Sequence, residues 1–194
     1  MKITFQISDI GIIAYLGLCI SLQILQVSVD WDFDYVRRYI AEGAWWRLII
    51  GQCVHSNIAH LLMNVAGLAG LYILSRLDDM GSLMIVSLFP ILCLTGVLLY
   101  LNEPELERYV GLSGALHGCA ALMGLALVFT GNRIVGWLLV TAIAVKLVWE
   151  SSAYYVDTRT ADMIGLRVAI ESHYWGVVAG TLVWLVWFLK CRET

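Results

Sequence analysis

The chain has 194 residues, of which 60% are hydrophobic and only 14% are charged, and its formal net charge at pH 7 is −3. Soluble globular domains carry roughly 25% charged residues, so this composition excludes an ordinary soluble protein and indicates a polytopic membrane protein. Because the chain has no basic run, nucleic acid is also excluded as a partner.

Six apolar runs are long enough to form membrane helices, since about 20 residues cross a hydrocarbon core. They lack the alternation of barrel strands, and a helix satisfies its own backbone hydrogen bonds in lipid. We therefore predict an all-α polytopic membrane protein, with residues 1–194 forming a single domain of six transmembrane helices. The predicted helices are 10–27, 58–75, 83–101, 113–130, 134–149 and 174–189.

Residues 28–55 form the longest predicted connection. Aromatic side chains such as Trp31 and Trp45 alternate there with charged ones such as Arg37 and Arg38. This mixture is typical of a membrane–water interface. We expect an interfacial loop that lies partly in the headgroup region as short amphipathic helices; an ordinary solvated loop is the alternative.

The second predicted helix carries two polar side chains, His60 and Asn64, on one face, because they are four residues apart. Polar groups inside a membrane are costly and are therefore candidates for function. Both side chains can donate hydrogen bonds to a developing oxyanion. A structural hydrogen bond that joins two helices is the alternative.

Ser113 lies at the start of the fourth predicted helix, in the run Gly111-Leu112-Ser113-Gly114-Ala115-Leu116-His117-Gly118. The apolar residues 109–112 before it predict a connection that descends into the protein. A helix N-terminus presents free N–H groups and a positive dipole end to any negative charge that forms there. Ser113 is therefore a candidate nucleophile, and it needs a base from elsewhere in the chain.

Two GxxxG pairs predict a close crossing between the fourth and sixth helices: Gly114 with Gly118, and Gly176 with Gly180. Independent contacts with other helices are the alternative.

The segment 151–172 leads directly to His173 and is a candidate cap over the site.

In the fifth helix, Lys146 precedes Glu150 by four residues. An i,i+4 ion pair near the interface or a snorkelling lysine explains this spacing. A Ser113–Lys146 pair is a further possible arrangement of nucleophile and base.

The loops on the two sides of the bundle carry nearly equal numbers of basic residues, but the inner loops are short and most acidic residues lie outside. We therefore expect both termini in the cytoplasm. Four candidate side chains then share the outer half of the bundle: His60, Asn64, Ser113 and His173. This shared depth is the strongest sequence argument for one site.

The pattern resembles that of the rhomboid intramembrane serine proteases. Four motifs carry the resemblance, in order, over roughly residues 45–180: Trp46-Arg47, His60-x-x-x-Asn64, Gly111-x-Ser113-Gly114 and His173-x-x-Gly176-x-x-x-Gly180. Each motif is short, but the four together are specific. The resemblance implies a six-helix rhomboid-like bundle that needs no cofactor and no metal.

The resemblance implies that Ser113 attacks the scissile carbonyl and that His173 takes its proton and later protonates the leaving amine. The backbone N–H of Ser113, with His60 and Asn64, would surround the oxyanion. The supporting residues are Gly111, Gly114, His117, Gly118, Gly176 and Gly180.

Two histidines are candidates for the base. His117 is one turn after Ser113, where the family usually has an aromatic residue, and its side chain would run parallel to that of the serine. We favour His173 and expect His117 to stack on or beneath it. No carboxylate lies in the fourth or sixth helix to orient His173, and Glu171 is about 200° away around the helix. A dyad is therefore expected.

The glycine-rich run around Ser113 and the compact size resemble the rhombosortase branch of Gram-negative bacteria. That resemblance implies single-span substrates with a C-terminal Gly-Gly tail, cleaved at the periplasmic side of the bacterial inner membrane, with the lipid bilayer as the other partner. The alternatives are a rhomboid protease with other single-span substrates, a non-enzymatic rhomboid-like binding protein, and a transporter that uses His60, His117 and His173. Zinc binding is disfavoured because HExxH is absent.

Overall fold

The computed structural model describes residues 6–29, 31–155 and 159–193. Within these ranges the chain is all-α and polytopic, as predicted, apart from two very short strands. In chain order the elements are α1 (Ile7–Val29), β1 (Tyr35–Val36), α2 (Arg37–Ala41), α3 (Arg47–Ile50), α4 (Ile58–Leu77), α5 (Gly81–Asn102), β2 (Arg108–Tyr109), α6 (Ser113–Thr130), α7 (Arg133–Glu150), α8 (Arg159–Ile164) and α9 (Ile170–Glu193).

Each of the six predicted apolar runs lies within one helix. Among the described residues, five helices are long and apolar enough to cross a membrane, namely α1, α4, α5, α6 and α9. The helix α7 has 18 residues, as α6 does, but it carries the charged residues Arg133, Lys146 and Glu150. A sixth span therefore stays a prediction.

The helix α6 lies at the centre of the bundle, and only Phe129 and Thr130 at its end are exposed. Its apolar side chains pack with those of α5 in the main core, where Leu88, Leu122 and Met123 are completely buried. A helix that is apolar all round is expected in such a central position. The first residue of this central helix is Ser113.

The glycines of α6 and α9 allow the two backbones to touch. A Cβ atom added at Gly176 would overlap the carbonyl oxygen of Gly114, and one added at Gly180 would overlap that of Gly118. The predicted crossing of the two GxxxG pairs is thereby confirmed. Because His173 lies one turn before Gly176, this crossing brings it beside the start of α6.

The predicted interfacial loop contains the short helices α2 and α3, and its side chains Trp31 and Trp45 are exposed. The loop also pairs with the segment before α6, a contact that the sequence pattern does not predict. In this ladder, β1 is antiparallel to β2, with Tyr35 opposite Tyr109. The segment that contains β1 is thus attached to the backbone that leads into Ser113.

The predicted cap, residues 151–172, is described except for residues 156–158, which lie outside the described ranges. Two hydrogen bonds join α8 to the start of α4. Ser56 Oγ donates to the carbonyl oxygen of Ile164 at 2.6 Å, and Asn57 Nδ2 donates to that of Met163 at 3.0 Å. These bonds hold α8 against the α4 N-terminus.

Candidate active site

The side chains of Ser113 and His173 are in hydrogen-bond contact. Ser113 Oγ lies 3.2 Å from His173 Nε2, and His173 is buried. The contact follows from the glycine crossing, in which the backbones of Gly114 and Gly176 touch. A serine hydroxyl beside an imidazole nitrogen is the pairing required for activation of a nucleophile.

The backbone before Ser113 is fixed by Gly111 and Tyr109. Gly111 has φ +109°, and a Cβ atom there would lie 2.5 Å from the imidazole of His60, so only glycine fits. Burial raises the pKa of Tyr109, which keeps its hydroxyl protonated. That hydroxyl donates to the carbonyl oxygen of Gly111 at 2.6 Å. The sequence analysis missed Tyr109, because a tyrosine in an apolar connection has no motif of its own.

The α4 side chains His60 and Asn64 are both buried and line the same cavity as Ser113. The Asn64 Nδ2 group is completely buried and has no hydrogen-bond partner in the described part of the chain. A Cβ atom at Gly111 would lie 3.5 Å from this nitrogen, so the amide is close to the backbone before Ser113. An unpaired buried donor is costly to keep, and its position makes it a candidate ligand for a substrate oxygen.

The tautomer of His60 follows from its neighbours. Ser56 Oγ gives its proton to the Ile164 carbonyl, so it accepts at 3.1 Å from His60 Nδ1. The Nε2 atom of a neutral His60 is then an acceptor. His60 can donate to an oxyanion through Nε2 only after it gains a proton or Ser56 turns away.

His55 packs edge-on against His60 with 5.0 Å between the ring centroids. Neither of its ring nitrogens has a partner among the described residues. Burial, together with the neighbouring His60, lowers the pKa of His55 from 6.5 to about 3. His55 is therefore held neutral beside His60.

His117 stacks on His173, with 4.0 Å between ring centroids and 20° between ring planes, as expected from its position. Its Nδ1 donates to the carbonyl oxygen of Ser113 at 2.7 Å. The ring is thus turned to the backbone of Ser113, whereas His173 contacts the hydroxyl. This geometry favours His173 over His117 as the partner of the nucleophile.

The expectation that no carboxylate reaches His173 is wrong. Glu150 Oε2 lies 2.8 Å from His173 Nδ1, and the carboxylate comes from α7, outside the two helices on which the dyad expectation rested. Its other oxygen forms an ion pair with Lys146, so the predicted i,i+4 pair is confirmed. Glu171 instead pairs with Arg167 at 3.0 Å.

A cavity of about 470 Å³ is lined by Ser113 and His173. Towards the middle of the bundle it is apolar, between Met63 of α4, Leu116 of α6 and Ala142 of α7, and at its other end it reaches α8. Within the described ranges, no three His, Cys, Asp or Glu side chains are grouped so as to hold a metal ion. The cavity is large enough for a short extended segment of peptide.

A polytopic helical bundle with a serine, a histidine and a buried unpaired donor around one cavity is the arrangement expected of a membrane-embedded serine hydrolase. The Rhomboid domain family model matches residues 42–190, which is most of the chain. The chain therefore belongs to the rhomboid family, whose members are intramembrane serine proteases. A comparison with curated proteins finds no match.

Proposed function

We propose that the chain is an intramembrane serine endopeptidase in which Ser113 is the nucleophile and His173 is the base. The observation that carries the proposal is the 3.2 Å contact between Ser113 Oγ and His173 Nε2, both of which belong to residues that line the cavity. Family membership supports a protease in general. The contact supports Ser113 and His173 as the two side chains through which peptide hydrolysis would proceed.

The reaction follows from this geometry. Ser113 Oγ attacks the scissile carbonyl carbon while its proton moves to His173 Nε2, and a tetrahedral oxyanion forms. The intermediate collapses with cleavage of the C–N bond, and His173 returns the proton to the leaving amine. A water molecule then gives a proton to His173 and attacks the acyl carbon. This second intermediate collapses with cleavage of the bond between the acyl carbon and Ser113 Oγ, and His173 returns the proton to Oγ as the carboxylic acid is released.

The oxyanion would be stabilised by the backbone N–H of Ser113 and by Asn64 Nδ2. The position of Ser113 at the N-terminus of α6 supports the first donor, because N–H groups in the first helical turn have no partner within the helix. The unpaired, buried amide of Asn64 supports the second. We assign His60 a weaker part, because its Nδ1 is used by Ser56. A preorganised donor of this kind contributes about 3 kcal/mol to transition-state stabilisation.

The substrate would be a single-span membrane protein that enters the cavity as an extended strand. The apolar cavity walls formed by α4 and α7 support entry of a lipid-facing segment. The serine motif with His117 supports the rhombosortase branch, in which the scissile region is a C-terminal Gly-Gly tail of an exported protein. We further propose six membrane spans and a site that opens to the periplasmic side of the bacterial inner membrane. A rhomboid protease for other single-span substrates is the alternative.

The test uses the full chain in lipid vesicles. The protein is labelled with a fluorophosphonate, the modified peptide is mapped, and cleavage of a Gly-Gly-tailed single-span substrate is measured. We expect label on Ser113 alone and loss of both labelling and cleavage in Ser113→Ala and His173→Ala. Ser151→Ala, an exposed serine at the end of α7, is the matched control and retains both. Full cleavage by Ser113→Ala would overturn the proposal.

A further inference from the structure

We propose that Glu150 is a positioning residue that fixes the tautomer of His173, and that Lys146 keeps Glu150 ionised for this purpose. The inference rests on the proposed function and deepens it. It stands on a chain of three contacts that begins at Ser113 Oγ and continues through His173 to Glu150 and Lys146. These contacts connect α6 to α9 and α9 to α7.

The contact between Glu150 and His173 is shielded from solvent. The side chains of His173 and Glu150 are only 4% and 2% exposed, and 2.8 Å separates Nδ1 from Oε2. Water therefore does not compete for either atom, and a hydrogen bond to an ionised group is stronger in such surroundings. The bond fixes both the position and the rotation of the imidazole ring.

The ionised carboxylate decides which nitrogen of His173 carries the proton. A carboxylate has only acceptor atoms, so Nδ1 must donate to it and the lone pair of a neutral ring lies on Nε2. Nε2 is the atom that faces Ser113 Oγ. Without the carboxylate, the ring can hold its proton on Nε2 instead, and this tautomer cannot accept the proton of the nucleophile.

Lys146 accounts for the presence of an ionised carboxylate at this depth. An isolated ionised carboxylate is costly to bury, because the free energy of removing it from water exceeds the free energy gained from one hydrogen bond. Lys146, one helical turn earlier, neutralises Glu150, and its own side chain is 46% exposed and lines the cavity. When His173 takes the proton of Ser113, Glu150 then faces the imidazolium at hydrogen-bond distance.

Other charged or titratable groups near His173 do not substitute for Glu150. His117 of α6 stacks on the face of the ring and not on its edge. Glu171, on the same helix as His173, is paired with Arg167. Among the described residues, the Nδ1 atom has one carboxylate partner, which is Glu150.

The test compares Glu150→Gln with the matched control Glu171→Gln, which makes the same chemical change two residues from His173. For Glu150→Gln we expect kcat to fall about 10²- to 10⁴-fold, as when a triad carboxylate is replaced by its amide. KM should stay within about threefold, because the residue acts through His173 and not on the substrate. Glu171→Gln should retain the wild-type kcat.

The double variant Lys146→Met/Glu150→Gln removes both charges and so avoids an unpaired lysine if the single variant folds poorly. We expect it to unfold near the wild-type temperature and to keep the low kcat. Wild-type kcat in the double variant, or a rise in KM with unchanged kcat, would overturn the inference while Ser113→Ala remained inactive. Cleavage that survives Ser113→Ala would instead overturn the proposed function itself.

Discussion

The imidazole of His117 lies parallel to that of His173, with 4.0 Å between the ring centroids, and donates from Nδ1 to the carbonyl oxygen of Ser113. His117 therefore packs against one face of the His173 ring and also forms a hydrogen bond to the first turn of α6. This relationship separates two roles that the sequence left open between the histidines. His117 shapes the site, and His173 contacts the hydroxyl.

The first prediction concerns His117. Because its contribution is a flat ring under His173, His117→Ala should lose about tenfold in kcat, and His117→Tyr should retain more of the wild-type kcat than His117→Ala does. His173→Ala should lose the 10³-fold or more typical of a missing base. Cleavage kinetics on one substrate compare the three variants. If His117→Ala were as inactive as His173→Ala, or more so, His117 would have a role in proton transfer.

The second prediction concerns Asn64. Its Nδ2 is buried without a partner in the described part of the chain, so Asn64→Ala should change the free energy of unfolding by less than about 1 kcal/mol. Removing an oxyanion donor should nevertheless lower kcat about 10²- to 10³-fold. Thermal unfolding in detergent and cleavage kinetics measure the two effects on one sample. Equal kcat for wild type and variant would remove Asn64 from the oxyanion site.

The third prediction concerns the glycine crossing. Gly176→Ala places a methyl group on the backbone of Gly114, so it should destabilise the protein by about 1 to 3 kcal/mol and slow labelling of Ser113. Gly70→Ala is the control, since a Cβ atom there has nothing within 4 Å. Unfolding temperature and labelling rate report the effect. A Gly176→Ala protein with wild-type stability would show that the two helices can separate at little cost.

The fourth prediction concerns the attachment of α8 to the start of α4. Asn57→Asp keeps the oxygen that caps α4 through the N–H of His60 but loses the donor to Met163, and Ser56→Ala loses the donor to Ile164. The double variant should increase amide exchange in residues 159–164, measured by mass spectrometry. Asn132→Ala, at the start of α7, should leave that exchange unchanged. Unaltered exchange in the double variant would mean that these two bonds do not hold α8.

The fifth prediction concerns His55 and acid. Its pKa in the folded protein is about 3, below its ordinary value of 6.5, so the unfolded chain takes up a proton first as the pH falls. Stability should therefore decline from about pH 6.5 downwards, by about 1.4 kcal/mol per pH unit from this group until its folded-state pKa is reached. His55→Gln should flatten the decline between pH 7.5 and 4.5, as seen in the unfolding temperature. An identical decline in both proteins would assign the acid sensitivity to other groups.

The sequence predicted those parts of the molecule whose signal is local. Apolar length gave the helices, and the i,i+4 spacing placed His60 and Asn64 on one face. The small residues Gly114 and Gly176 indicated the crossing that brings Ser113 and His173 together. Each of these inferences needed only residues within one or two segments.

The missed features depend on how distant segments pack. Glu150 reaches His173 because α7 ends beside α9. In the sequence, Glu150 is four residues after Lys146, and an ion pair within one helix is enough to explain that spacing. The pairing of Tyr35 with Tyr109 joins strands of two residues each, which is too short for any alternation to appear in the sequence. These contacts follow from tertiary arrangement alone.

The crossing of α6 and α9 is made by backbone against backbone, so the approach of α9 to Ser113 does not depend on the apolar side chains that line the cavity towards the middle of the bundle. Met63 of α4 and Ala142 of α7 line that cavity but take no part in the crossing. Substrate preference can therefore be changed at such positions, by engineering or by evolution, while the reactivity of the serine towards a small electrophile stays the same.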